Sequence, residues 1–283
     1  TLCPAGQEQE VVWKALAKAA PERSSAGYGG FHCIPSISGI DERGEEPAEW
    51  AAMFFNGGSG GGASKNADGW PLIMTSSGMG GLKILSTEMS ELLYPLMIDH
   101  HEIEMDSMGH GETMGGTGIR IEVRPYDTPM DCHATGDGAA NPPFGLFGGT
   151  PGIGGGNYRE YLDSGKRDFC SSKGYMKIEP GEMWVGVSSG GGGYGDPLQR
   201  SAQKVCEHVR DQIISFDTGR DTYGVVMDPD NFVLDSSATN TRRAKLTAER
   251  PALPEIQPTE AGYATWLEDN MREGDNYLLD PLP

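Results

Sequence analysis

Two stretches of the chain have the three-to-four spacing of apolar residues that is typical of amphipathic helices. They span residues 7–20 and 201–215, and a proline directly follows the first of them. Because proline cannot continue a helix, we expect the first helix to end there. Further along, Asp235 or Ser236 is placed to cap a third helix that reaches Glu249.

Strict alternation of apolar and charged residues predicts β-strands elsewhere. Residues 97–105 and 118–124 alternate in this way and are separated by a glycine-rich connection, which predicts a hairpin or meander. Residues 176–187 predict two short strands around the turn Glu179-Pro180-Gly181-Glu182, and residues 223–234 predict a strand, a turn and a strand.

The composition extends this pattern to a fold class. The chain has 42 glycines and 19 prolines in 283 residues, so tight turns and loops should be frequent. We predict a β-rich α+β fold with multi-stranded, mostly antiparallel sheets, a few peripheral helices and long glycine-rich loops. The compact part should span residues 1–250. Residues 251–283 form an acidic, proline-containing tail, and its large apolar side chains predict that it docks on a partner.

Charge and cysteine content exclude several classes of partner. The formal net charge of −19 and the isoelectric point near 4.6 argue against binding to nucleic acid or to an anionic membrane surface, because both carry phosphates. No run of about 18 apolar residues predicts a membrane span. The five cysteines contain no CxxC pair, which favours reduced thiols and a cytoplasmic location.

The most specific local feature is a run of four glycines followed by Tyr194, Gly195, Asp196 and Pro197. Backbone N–H groups before a helix can hold phosphate, but the run lacks the Gly-Lys-Ser/Thr of a P-loop and Asp196 would repel an anion. We therefore predict tight backbone packing at an interface or beside a substrate. The candidate residues of this loop are Gly190, Gly191, Gly192, Gly193, Tyr194 and Asp196.

A group of potential metal ligands lies between residues 100 and 110, with His101 and His110 as the candidates. Their spacing matches no closed zinc pattern, and on a strand His100 and His101 point to opposite faces. An exposed polar face is the alternative interpretation. The adjacent pairs His32-Cys33 and Cys132-His133 diverge in the same way and indicate packing.

The first residue offers a separate hypothesis. A threonine with a free α-amine can act as nucleophile and base together, so Thr1 is a candidate nucleophile. The residues that follow it, Leu2-Cys3-Pro4, do not read as a strand. No GxSxG elbow and no HExxH motif occurs in the sequence.

Five segments, in this order, resemble the hydantoinase B/oxoprolinase family over about residues 6–250. They are VWKALAKAAPERSSAGYGG, LLYPLMIDHHEIEMDSMGHGETMGGTGIRIEV, FGGTPGIGGGNY, MKIEPGEMWVGVSSGGGGYGDPLQR and VRDQIISFDTGRDTYGVVMD. The chain departs from the family pattern within SMGHGETMGGTG, where His110, Glu112 and Met114 stand in a region in which relatives commonly carry arginines. This departure puts an anion-binding role of that region in doubt.

The resemblance implies a subunit of a multisubunit ATP-dependent enzyme. ATP and Mg would bind to a partner subunit of the hydantoinase A type. A divalent transition metal would lie in the amino-terminal half of the B-type subunit, and this chain resembles only the carboxy-terminal half. A second polypeptide that carries the amino-terminal half is therefore an expected partner, and no metal or nucleotide is expected on this chain itself.

The resemblance leaves the reaction open between three alternatives. The segments PERSSAGYGG and SGID look closer to the acetophenone carboxylase branch, which implies an ATP-dependent carboxylase acting on a ketone, as acetophenone and acetone carboxylases do. The second alternative is an ATP-dependent cyclic amide hydrolase of the hydantoinase or 5-oxoprolinase type. The third is a structural or assembly subunit without chemistry of its own. In each case, we expect this chain alone to be inactive.

Overall fold

The computed structural model describes residues 2–30, 34–54, 57–73, 84–136, 141–170, 173–256 and 262–278. Its helices are α1 (Leu2–Leu16), α2 (Thr87–Leu93), α3 (Ala202–Arg210), α4 (Phe216–Asp221), α5 (Ser236–Glu249) and α6 (Gly262–Asn270). Its strands are β1 (Ser36–Asp41), β2 (Ala48–Met53), β3 (Leu96–Ile103), β4 (Ile119–Pro125), β5 (Met130–Thr135), β6 (Gly156–Tyr161), β7 (Arg167–Cys170), β8 (Lys173–Ile178), β9 (Glu182–Val187) and β10 (Asn276–Leu278).

These strands form two sheets. The four-stranded sheet has the order β2-β1-β5-β8, and the six-stranded sheet has the order β10-β7-β6-β9-β4-β3. Among the strands that the structure describes, every pairing is antiparallel except that of β10 with β7, which is parallel. The predicted fold class, β-rich α+β with mostly antiparallel sheets and few helices, is confirmed.

The two sheets share one hydrophobic core. The four-stranded sheet contributes Ile37 and Ile178, while the six-stranded sheet contributes Ile121, Val123 and Trp184, all at most 2% exposed. Full burial of such a side chain stabilises the fold by about 1.5–3 kcal/mol. The alternation predicted for residues 118–124 is confirmed in β4, which pairs with β3 as an antiparallel hairpin.

The predicted turn at residues 179–182 is present, but the two strands beside it do not pair with each other. The N–H of Glu182 donates to the carbonyl oxygen of Glu179 at 2.9 Å, and Gly181 has a φ of +94°, which favours glycine. β8 pairs with β5 in one sheet, whereas β9 pairs with β4 and β6 in the other. This turn therefore carries the chain from one sheet to the other.

The helix predicted for residues 7–20 exists, but its bounds and its buried face were predicted wrongly. α1 ends at Leu16, whose carbonyl oxygen accepts hydrogen bonds from the N–H groups of Ala19 and Ala20 at 2.9 and 3.0 Å. Val12 and Leu16 are 53% and 54% exposed, whereas the small Ala17 is fully buried. The buried contact of this segment is therefore made by Ala17, just after the helix, and not by Val12 and Leu16 on the helix.

The helix predicted for residues 201–215 is shorter than predicted, because α3 ends at Arg210 and α4 begins only at Phe216. α3 ends at Arg210 because the chain turns through Gln212, which has a φ of +57° and cannot continue a right-handed helix. Ser215 then caps α4 by accepting a hydrogen bond from the N–H of Thr218 at 3.1 Å. Val205 and Val209 are buried as the spacing predicts.

The last predicted elements are confirmed in part. Asp235 caps α5 by accepting a hydrogen bond from the N–H of Ala238 at 2.9 Å. The strand, turn and strand predicted for residues 223–234 are reduced to one bridge between Met227 and Leu234. A turn closed by the side chain of Asp228 separates these two residues.

The described part of the tail packs on the chain's own six-stranded sheet. Trp266 on α6 is 4% exposed, and its ring lies 5.6 Å from the ring of Phe169. Arg167 on β7 forms an ion pair at 2.7 Å with Asp275, and both side chains are at most 5% exposed. Docking of the tail on a partner stays a prediction. Among the described residues, no helix is both long and apolar enough to cross a bilayer.

Candidate functional site

The glycine run lies inside the molecule, surrounded by other glycine-rich segments. We call residues 26–29, 58–63, 109–118, 143–152 and 189–195 the glycine bundle. The N–H groups of the four glycines, residues 190–193, donate at 2.9–3.0 Å to carbonyl oxygens outside the run. From Gly190 to Gly193, the acceptors are in turn Ser107, Gly116, Gly27 and Thr150.

Backbone contacts explain why these positions are glycine. A Cβ atom added to Gly191 would lie 1.9 Å from the carbonyl oxygen of Gly61, and one added to Gly192 would lie 2.0 Å from that of Phe144. Neither backbone atom can move aside without disturbing its own hydrogen bonds. Within the stretch 190–195, only Gly195 has a positive φ. Close approach of one backbone to another therefore requires most of these glycines.

The same hydrogen bonds bear on a ligand role for the run. Because each N–H of the four glycines already has a carbonyl partner, none points to an open anion site. The structure thus shows the backbone packing that we predicted, with its partners inside this chain. A direct contact between the run and a substrate or a partner stays a prediction.

Tyr194 and Asp196 connect the bundle to distant segments. The hydroxyl group of Tyr194 donates to the carbonyl oxygen of Pro21 at 3.0 Å, and its burial raises the pKa of the phenol. Asp196 caps a short 3-10 turn and accepts a hydrogen bond from Nη1 of Arg250 at 2.6 Å. This hydrogen bond from Arg250 lowers the pKa of the Asp196 carboxyl group.

Asp68 and Arg200 form a bidentate ion pair beside the bundle. The two guanidinium nitrogens Nη1 and Nη2 of Arg200 donate to the two carboxylate oxygens of Asp68, both at 2.8 Å. Arg200 also donates to the carbonyl oxygen of Glu112 at 2.9 Å and is only 2% exposed. Burial opposes ionisation of Asp68, but the hydrogen bonds and the charge of Arg200, together with the N–H of Met114 and the charge of Lys204, outweigh it and lower the pKa of this carboxyl group.

His110 lies in the same region, against Tyr223. Its Nδ1 atom is 3.1 Å from the hydroxyl oxygen of Tyr223, and the two rings meet edge to face. Burial lowers the pKa of His110 to about 4, so the imidazole is neutral at pH 7. Burial also raises the pKa of Tyr223. The neutral imidazole of His110 and the neutral phenol of Tyr223 are hydrogen-bond partners, which is typical of polar side chains packed inside a fold. The directions of their pKa shifts keep both groups neutral near pH 7.

Arg243 on α5 completes this group, which we call the buried polar cluster: Asp68, His110, Arg200, Tyr223 and Arg243. Its guanidinium donates to the carbonyl oxygens of Tyr223 and Arg200 at 3.0 and 2.8 Å. The cluster joins the glycine bundle to the helices that follow it. Sequence reasoning missed Asp68, Arg200, Tyr223 and Arg243, because up to 132 residues separate these partners and no local spacing links them.

The potential metal ligands of residues 100–110 have separate partners. His100 lies 3.3 Å from Glu102 on the surface, whereas Asp106 accepts a hydrogen bond from the N–H of Ser215 at 3.0 Å. His101 lies on β3 opposite Ile121. Within the described ranges, no three His, Cys, Asp or Glu side chains lie together so that they could hold a metal ion. The side chains that are described therefore do not fit a metal site.

Other candidates from the sequence are resolved by burial or fall outside the described residues. Cys132 is a fully buried free thiol, and its burial raises its pKa, which disfavours the reactive thiolate. His133 is exposed beside Tyr175, so this pair diverges as predicted. Thr1 and the pair His32-Cys33 lie outside the described residues.

Comparison with protein-family models identifies the family. The model described as hydantoinase B/oxoprolinase matches residues 4–197, which include every segment of the glycine bundle. The chain belongs to the hydantoinase B/oxoprolinase family. The matched region contains the bundle and strands β1 to β9, while α3, α4, α5 and the tail with α6 and β10 lie outside it.

Known relatives of this family extend the comparison. The chain is 35% identical over 249 residues to the caprolactamase subunit beta of Pseudomonas jessenii, across 86% of this chain and 42% of the relative. The crystal structure of the ATP-dependent caprolactamase from Pseudomonas jessenii is similar with a TM-score of 0.65 and 31% identity, over 82% of this chain and 40% of that one.

A nucleotide-free structure of acetone carboxylase has the same fold. Its TM-score is 0.66 at 19% identity, over 91% of this chain and 38% of that one. At this identity the likeness shows the fold alone. The chain spans about two-fifths of the length of the caprolactamase subunit and of both structures.

Proposed function

We propose that this chain is part of the B-type subunit of a multisubunit ATP-dependent enzyme that opens cyclic amides. One observation carries the proposal: in the structural comparisons the chain is 31% identical to the caprolactamase and 19% identical to acetone carboxylase, although the TM-scores are nearly equal. The fold is common to both, so the sequence likeness separates them. It favours lactam hydrolysis over the ketone carboxylation that the local segments of the sequence suggested.

The geometry supports a scaffolding role for this chain within such a complex. The four glycines of the run use their backbone N–H groups internally, and in the buried polar cluster Arg200 pairs with Asp68. Among the described residues, no three metal-ligating side chains lie together. We therefore propose that ATP and Mg bind to a hydantoinase A-type partner, and that a divalent transition metal lies in the amino-terminal half of the B-type subunit.

The proposed reaction explains the need for ATP. Phosphoryl transfer from ATP to the amide oxygen converts that oxygen into part of a phosphate leaving group. Water then adds to the former carbonyl carbon, and cleavage of the ring C–N bond releases the protonated amine and leaves an acyl phosphate. A second water attacks the acyl carbon, and phosphate departs with the former amide oxygen, which leaves an amino acid. Several easier steps replace one difficult step, as in covalent catalysis.

The test uses the complex purified through an affinity tag on this chain. Caprolactam, hydantoin and 5-oxoproline are each incubated with ATP and Mg, and acetone is incubated with ATP, Mg and bicarbonate. We expect ATP-dependent ring opening of at least one cyclic amide and no carboxylated ketone. Carboxylation of acetone without ring opening would support the carboxylase alternative and refute the proposal.

The internal packing of the glycine run favours a second candidate function, that of an assembly subunit without chemistry. Asp196→Asn and Tyr194→Phe separate the two readings, because both residues lie at the end of the run. Lost turnover in a complex that still assembles would indicate a substrate-facing loop. Loss of assembly together with turnover would indicate that the loop only maintains the structure.

A further inference from the structure

Helix α2 is oriented with its apolar side toward solvent. Leu85, Met89, Leu92 and Leu93 are 37%, 44%, 70% and 51% exposed, and we call these four residues the α2 face. Leu85 lies directly before the cap residue Ser86, whereas Met89, Leu92 and Leu93 lie on the helix at i, i+3 and i+4 and so share one of its sides. The only buried residue of α2 is Ser90. In a helix packed for its own stability, the leucines would face inward.

Polar contacts fix this orientation. The Oε1 atom of Glu91 accepts a hydrogen bond from the N–H of Ile98 at 2.9 Å, and the carbonyl oxygen of Glu91 accepts one from Nη1 of Arg43 at 2.8 Å. Arg43 is itself held by two hydrogen bonds from its guanidinium group to the carboxylate of Asp41, at 2.8 and 2.9 Å. The helix cannot rotate to bury its leucines without losing the Glu91 contacts. The hydrogen bonds of Glu91 therefore hold the α2 face toward solvent.

An acidic border accompanies the α2 face. Arg43 ties the helix to the turn between β1 and β2, and that turn carries three exposed glutamates. Glu88 on α2 is exposed as well. The charge of Arg43 is compensated by Asp41. The acidic border consists of Glu42, Glu45, Glu46 and Glu88.

We propose that the α2 face docks into an apolar groove, bordered by lysines or arginines, on a different protein subunit. A helix with apolar anchors at i, i+3 and i+4 is a recurrent way to occupy such a groove, and Leu85 extends the apolar surface before the helix begins. The acidic border then meets the basic border of the partner, which sets orientation and association rate. The proposal rests on the proposed function only in taking this partner to be a subunit of the same complex.

Charge excludes two other occupants. A second copy of this chain would bring an identical acidic border against the first, and each copy carries a net charge of −19. An anionic lipid surface would be repelled by the same glutamates. A basic partner protein is the occupant that satisfies both the apolar centre and the acidic border.

The test begins with the complex purified through a tag on this chain. Each copurifying subunit is separated at high salt, identified by mass spectrometry and titrated with the fluorescently labelled chain. We expect Leu92→Glu to weaken binding of one subunit at least tenfold, while Val233→Glu, which alters a 63% exposed residue on another element, leaves binding within twofold. Both variants should fold, because each residue is exposed. Glutamate is also a good helix former, so it suits position 92 on α2.

Charge reversal and hydrogen exchange supply independent readouts. The double variant Glu45→Lys with Glu46→Lys should weaken binding and reduce its salt dependence, whereas Asp163→Lys, in the turn after β6, should not. The amides of α2 should exchange more slowly in the complex than in the free chain.

The docking proposal is overturned if Leu92→Glu binds every separated subunit as the wild type does, or if the α2 amides exchange equally fast with and without partners. A chain that purifies without any partner protein overturns it as well. Activity is not a readout here. A complex that depends on the α2 face but opens no cyclic amide would refute the proposed function and leave the docking surface standing.

Discussion

Arg200 and Asp68, which are 132 residues apart in the sequence, face each other in a bidentate ion pair beside the glycine bundle. Arg200 also holds the carbonyl oxygen of Glu112, and Arg243 holds the carbonyl oxygen of Arg200. This pair connects the loop at residues 57–73, the glycine bundle and the carboxy-terminal helices. Its loss should therefore be felt across the whole described structure.

Removal of Arg200 tests that connection. Arg200→Met leaves the half-buried Asp68 without its cation, and because solvent reaches Asp68 the cost should stay below the about 3–5 kcal/mol that is typical when a fully buried pair is broken on one side. Addition of Asp68→Asn to this variant should recover part of the loss, because the unpaired charge is then absent. Urea unfolding of the single and double variants measures both effects. If the stability lost in the double variant equals the sum of the losses in the two single variants, the two side chains do not interact.

Acid should destabilise the fold through His110. Its pKa of about 4 in the folded state lies below the ordinary value near 6.5, so the unfolded chain binds a proton first as the pH falls. The contribution is complete above about pH 6.5 and is lost toward pH 4. His110→Asn, which can keep an acceptor near Tyr223, should flatten the stability profile in this window. A His110→Asn variant that loses stability between pH 6.5 and pH 4 as steeply as the wild type would contradict this account.

Backbone packing predicts the result of filling the glycine run. In Gly191→Ala the new Cβ would lie 1.9 Å from the carbonyl oxygen of Gly61, and we expect a loss of about 3 kcal/mol or more, at the upper end of overpacking effects. Gly44→Ala is the matched control, because its Cβ would meet nothing nearer than 3.7 Å and its stability should change by less than about 0.5 kcal/mol. Thermal melting of the complex compares them. Similar melting temperatures for both variants would contradict the packing account.

The contact of the tail with the six-stranded sheet can be tested at Trp266. Trp266→Ala should cost about 3–5 kcal/mol, the usual range for removal of a buried aromatic side chain. Tyr126→Ala removes a 52% exposed aromatic ring and should change the melting temperature little. If the two variants melt together with the wild type, the tail does not stabilise the sheet.

Local signals predicted the local parts of the fold. The alternation along β4 and the cap at Asp235 were recognisable because a strand face and a helix start depend on neighbouring residues. The end of α3 was not, because a left-handed φ at Gln212 has no signature in a residue of that type. α1 differs from its prediction for another reason: Val12 and Leu16 on the helix are exposed, while Ala17, just after its end, makes the buried contact.

The sequence indicated the glycine run as a candidate site, but only the structure explains why its residues are glycines. The glycine run stood out as a motif, yet the reason for it is the backbone of Gly61, Phe144 and His110, which come from three other segments. Likewise, His110 was considered as a metal ligand, whereas its partner is Tyr223, 113 residues away. Contacts between residues so far apart in the sequence form only in the folded chain, so no local spacing in the sequence predicts them.

The most direct test of the central claim follows the oxygen atom of the substrate. The complex is incubated with ATP, Mg and a lactam labelled with ¹⁸O in its carbonyl group, and the released phosphate is analysed by ³¹P NMR. Activation by phosphorylation of the amide oxygen predicts ¹⁸O in the phosphate, in amounts equal to the ring-opened product. Ring opening that releases only unlabelled phosphate, or phosphate release without ring opening, would contradict the account.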